Sequence, residues 1–147
     1  MCEANALGDA QYRSTDDQER TLLYGPEDVD SLIDVLLAEP DDRCMAQVVS
    51  FQRPLLANGM VDHLLDVGVC RARQVGVIGF ADVTGNYVTW NPSGGSDPSR
   101  YLMVGDTRTF PAHSEIDLDL VHQAVKEFLM SGGRRPESVA WQPHQLF

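Results

Sequence analysis

Apolar residues first recur at helical spacing after Gly25. Val29, Leu32, Ile33, Leu36 and Leu37 lie three or four positions apart and define one stripe, which predicts a helix. Pro26 suits its first turn, where the missing N–H needs no partner, and Pro40 marks its end. Glu27, Asp28 and Asp30 sit at the positive end of the helix dipole. The face opposite the stripe carries Glu27, Asp30 and Asp34 and is strongly acidic. A second stripe, Val121, Ala124, Val125, Phe128 and Leu129, predicts a second helix. Ser114 or Asp117 caps its start, and Gly132-Gly133 followed by Pro136 stops it.

Between the helices the pattern is that of strands. Cys44–Phe51, Leu64–Arg71, Val75–Asp82, Tyr87–Trp90, Arg100–Val104 and Thr107–Phe110 are short apolar or alternating runs separated by turn residues. Arg20–Tyr24 and Ser138–Gln142 add a strand before the first helix and one after the second. Pro54–Met60 and Asn91–Ser99 read as loops. Residues 1–18 read as a frayed arm or an edge strand. The order predicts an α+β fold: a mainly antiparallel sheet of about five to seven strands packed by two principal α-helices, in a single domain over residues 1–147.

Composition narrows the function. The 147 residues are 43% hydrophobic and 22% charged, with no run long enough to span a membrane. The start, MCEANALGDA, lacks the basic and apolar regions of a secretory signal, so the expected location is the cytoplasm. The net charge is −11, and residues 1–42 hold twelve acids against two bases. Such a field repels nucleic acid and anionic membranes and attracts basic partners, although charge also serves solubility alone. The three cysteines, Cys2, Cys44 and Cys70, fit neither a disulfide framework nor a zinc pattern, and the last two fall in core-like runs.

Catalytic motifs are missing: no nucleophile elbow, P-loop or dinucleotide-binding glycine pattern occurs, and the four histidines have no chelating spacing. His113-Ser114-Glu115 matches half of a zinc nucleobase deaminase site, but no cysteine follows Cys70 to supply its thiolates. No metal or cofactor is expected. Trp90, Tyr87 and Tyr101 flank the Pro/Gly/Ser loop and suit either a binding surface or cross-strand packing. Trp141 is expected to anchor the core.

From about Val67 onward the chain resembles the first-numbered family of immunity proteins of bacterial polymorphic toxin systems. The resemblance rests on GVIGFADVTGNYVTWN, with Asp82, Gly85, Tyr87 and Thr89, and on RTFPAHSEIDLDLVHQAVKEFLMSGGRRPESVAWQ. Within the second segment it rests on Phe110-Pro111, Glu115-Ile116, Glu127-Phe128-Leu129, Arg135-Pro136 and Val139-Ala140-Trp141-Gln142. It implies an inhibitor that is not an enzyme, serves interbacterial competition and binds a cognate toxin, often a nucleic-acid deaminase or nuclease.

The expectation is an acidic immunity protein that occludes the basic cleft of a deaminase toxin. It is expected to be a monomer forming a 1:1 heterodimer, with no direct contact to nucleic acid or membrane. The expected contacts are Asp82, Tyr87, Trp90, Asp97, Tyr101 and Glu115, with Glu27, Asp30 and Asp34 as a second acidic face. The alternatives are an enzyme using His113 and Glu115, and a general acidic adaptor.

Overall fold

The computed structural model describes residues 6–12, 21–39, 43–103 and 106–144. The first stripe forms α1 (Pro26–Leu37), burying Val29, Leu32, Ile33 and Leu36. Pro40 lies outside the described residues. The second stripe forms α2 (Leu118–Met130), with Asp117 at the N-cap position. Its end is a Schellman turn: the Gly133 N–H donates to the Phe128 carbonyl at 2.9 Å, with Gly132 and Gly133 both left-handed. A Cβ on Gly133 would stand 2.7 Å from Arg53 Cδ, so a glycine there lets the helix end close onto the sheet.

The strands are β1 (Gly8–Gln11), β2 (Thr21–Leu23), β3 (Arg43–Ser50), β4 (Leu64–Cys70), β5 (Val75–Asp82) and β6 (Gly85–Trp90). They continue as β7 (Ser99–Met103), β8 (Asp106–Phe110), β9 (Ile116–Asp117) and β10 (Ala140–Pro143). The main path is β10-β6-β5-β4-β3-β1-β2, antiparallel throughout. The hairpin β7–β8 joins it through one parallel pairing of β7 with β3, Cys44 opposite Leu102.

The α+β class and the antiparallel sheet agree with the sequence reading, but the ten strands among the described residues exceed the expected five to seven. Two of the extra strands are very short: β9 has two residues and β1 four. The part of the N-terminal arm that is described, β1, is not an edge strand. It lies between β2 and β3, with Asp9 opposite both Leu22 and Val49. At the other edge, β10 ends in Pro143, which an edge strand tolerates because no ladder N–H is required there.

Strand alternation divides the core in two. Cys44, Ala46, Val48, Leu65, Val67, Val69, Ile78 and Phe80 pack under both helices. Met45, Cys70, Val77 and Val88 point the other way and are covered by Tyr101 and Phe110 of the hairpin. Tyr101 presses against Gly68, where a Cβ would come within 2.9 Å of its ring. The hairpin covers only the half of this face nearest the β4–β5 turn. The other half is open.

Candidate functional site

The sequence-predicted contact residues fall on three separate regions. The first surrounds the loop after β6. Trp90 is 39% exposed and meets His113 edge-on at 5.4 Å between centroids. Asp97 is exposed on that loop. The loop is bolted to the approach to α2: the Asn91 N–H donates to the His113 carbonyl at 2.7 Å, and Asn91 Nδ2 to the Glu115 carbonyl at 2.9 Å.

Tyr101 and Glu115 are expected from the sequence to face a partner, and the structure places both inside. Tyr101 is 1% exposed and donates its hydroxyl to Glu115 Oε2 at 2.5 Å. Glu115 Oε1 takes an ion pair from Arg73. Ring packing and the closed carboxylate make this pair an internal post between hairpin and sheet, which removes it from the accessible surface. The His113 and Glu115 side chains also serve different partners. His113 Nδ1 meets the Gly94 carbonyl at 3.2 Å, while Glu115 turns to Arg73 and Tyr101. They do not form the cooperating pair that the enzyme alternative requires.

The second region is the acidic helix face. Glu27 and Asp34 are exposed. Asp30, expected beside them, reaches across to α2, accepting from Lys126 Nζ at 3.0 Å and lying 2.6 Å from His122 Nδ1. Those two neighbours, the lysine first, hold its carboxyl below the usual range.

The third region lies at the opposite end of the sheet from Trp90. Asp82 closes β5, accepts from the Thr84 N–H at 2.9 Å and hydroxyl at 2.5 Å, and lies 3.6 Å from Arg53 Nη1. Tyr87 is half-buried on the helix side. Its hydroxyl donates to the Thr84 carbonyl at 3.1 Å, and Arg135 sits 4.2 Å above its ring.

Arg53 organises this end. Its guanidinium also meets Asp62 at 3.0 Å and donates to the Gly133 carbonyl at 2.9 Å. Beside it, His63 is buried. Its Nε2 accepts from the Ser50 N–H at 2.8 Å, so Nδ1 carries the proton and donates to Asp62 at 2.9 Å. Burial keeps the His63 pKa below its ordinary value, so this ring is a neutral tether. These contacts pin both ends of the segment 51–63 between β3 and β4.

Sequence reasoning passed over what that segment encloses. A groove of about 630 Å³ opens on the uncovered half of the sheet, with Asp9, Gln11, Gln47, Val49 and Leu64 among its lining. Phe51, Leu55, Met60 and Val61 line it from the loop, and Leu55 and Met60 are each 61% exposed. Large apolar side chains held this open mark interaction sites more often than chance surface. The available signal was Leu55, Leu56 and Met60 inside a stretch whose Pro, Asn and Gly already assign it to a loop.

Among the described residues, no group of three or more His, Cys, Asp or Glu side chains is placed to hold a metal ion. Among the described residues, too, no helix is long and apolar enough to cross a membrane. The thiols of Cys44 and Cys70 are buried in the two cores. His63, His122, Asp30, Asp62 and Glu115 are engaged in contacts that tie elements of the fold together. No curated protein matches this sequence. Residues 17–143, from just before β2 through β10, match the family described as Immunity protein Imm1, and with most of its length covered the chain belongs to that family.

Proposed function

We propose that this protein binds the toxin domain encoded beside its own gene and neutralises it by occluding a basic substrate cleft. Membership of an immunity-protein family over residues 17–143 carries this reading. The net charge of −11 supports it, because a toxin that works on nucleic acid needs a positively charged cleft, and an acidic protein approaches such a cleft with electrostatic steering. The resemblance favours a nucleic-acid deaminase as the target within a polymorphic toxin system. The inhibitor acts in the cytoplasm, as a monomer forming a 1:1 complex, and without turnover of its own.

The exposed members of the expected contact set, Trp90, Asp97, Glu27 and Asp34, remain proposed contacts. So does Asp82, with Tyr87 and Asp30 at the margins of their patches. Asp97→Lys tests the loop cleanly, because the side chain is exposed and its reversal leaves the core intact. The reading is tested by expressing the neighbouring toxin domain in a sensitive host with and without this chain. Growth restored by this chain alone supports it. Undiminished killing in the presence of soluble, folded protein would overturn it.

A further inference from the structure

The open groove carries more than apolar walls. Asp66 lies next to it without lining it, directly across from Gln47 and two residues along the same face from Leu64, both of which line the groove. Its side chain is largely buried. Oδ2 faces Arg108 Nη1 at the long distance of 3.7 Å, and the buried Oδ1 accepts no hydrogen bond among the described residues. A buried carboxylate oxygen without a donor is costly unless some other group completes it. The groove's own cation, Arg53, is already committed to Asp62, Asp82 and the Gly133 carbonyl. Burial also raises the Asp66 pKa from 3.8 to about 6, with Arg108 and Gln47 pulling the other way, so the fold keeps this acid at a disadvantage.

Building on the reading of the chain as a toxin inhibitor, we propose that this groove is a docking surface for the toxin and takes one of its basic side chains. An Arg or Lys has the right division of chemistry. Its aliphatic stem lies along Val49, Leu64 and Met60, and its cation, entering past Gln47, completes the unpaired oxygen of Asp66, which the unbound protein keeps closed to solvent. An anionic occupant is disfavoured by the carboxylates of Asp66 and Asp9, and a purely apolar one leaves Asp66 unanswered.

The test measures affinity for the neighbouring toxin domain by titration calorimetry. The variants are Asp66→Asn, the double variant Leu55→Ser/Met60→Ser, and the charge-matched control Asp119→Asn, which is exposed on α2 across the sheet. The proposal expects Asp66→Asn and the double variant each to weaken binding at least about tenfold, and Asp119→Asn to change it less than about twofold. Thermal melts show that the variants are folded, and the loop double variant reads the groove independently of Asp66. Wild-type affinity in both groove variants overturns the docking surface while leaving the inhibitor reading intact. A wild-type protein that binds no such toxin removes the inhibitor reading and this proposal with it. A dimer of the isolated chain that the double variant splits assigns the groove to a second copy and also overturns the proposal.

Discussion

Asp66 shows how one side chain can separate stability from function. Its native pKa of about 6 lies above the ordinary 3.8, so the folded state holds the proton more tightly than the unfolded chain does. The contribution of this one group to stability is therefore greatest below about pH 4, falls as pH rises to about 6, and is flat beyond. The displacement corresponds to on the order of 2–3 kcal/mol. Asp66→Asn should recover about 1–2 kcal/mol at pH 7.5 and almost nothing at pH 3.5. Urea unfolding at the two pH values measures this, and a variant destabilised at both would contradict it. Tyr101 makes the opposite case, a polar group whose value is internal. Tyr101→Phe removes the donor to Glu115 Oε2 inside the core and should cost about 1–2 kcal/mol in the same unfolding measurement, with no loss of toxin affinity.

At the scale of elements, Trp141 on β10 fills the notch between sheet and α2. Its ring lies 6.4 Å from that of Phe80, and Nε1 donates to the Pro136 carbonyl at 2.7 Å. Because the side chain is half-buried, Trp141→Ala should cost about 1.5–3 kcal/mol, less than a fully enclosed tryptophan. A lowered Tm with unchanged binding is the expected outcome; unchanged Tm with lost binding would reverse the assignment of the two tryptophans. The helices and β5 were legible because their periodicity is enforced by burial. Val75–Asp82 is a continuous apolar run, and Gln74, left-handed at φ 56°, ends the turn before it. β1 was hard to read because Gly-Asp-Ala-Gln has no apolar alternation of its own; its place is set by β3, with which it pairs from Gly8 opposite Ser50 to Gln11 opposite Gln47. Tyr101 and Glu115 misled for a related reason. The sequence places them beside a polar loop, while Tyr101 is buried against Gly68 and Phe110, and Glu115 is engaged by Tyr101 and by Arg73, forty-two positions before it.

For the whole molecule, the chemistry the sequence lacks and the surfaces the structure offers point the same way. Twelve of the twenty-two acids fall in the first 42 residues, while the groove and the Trp90 loop lie at opposite ends of the sheet. The three-way separation of the expected contacts was not legible, because strand register decides it and chain distance does not. Steering by the overall charge should make association fast and sensitive to salt: raising ionic strength from about 0.05 M to 0.5 M should slow the association rate about tenfold or more, with a smaller change in dissociation. Stopped-flow mixing with the toxin domain measures this, and a rate indifferent to salt would contradict a steering role for the acids. The most direct test of the central claim is to titrate the catalytic activity of the neighbouring toxin domain with the purified protein. The account predicts inhibition that rises linearly and is complete near one equivalent, and residual activity unaffected by a large excess of inhibitor would contradict it.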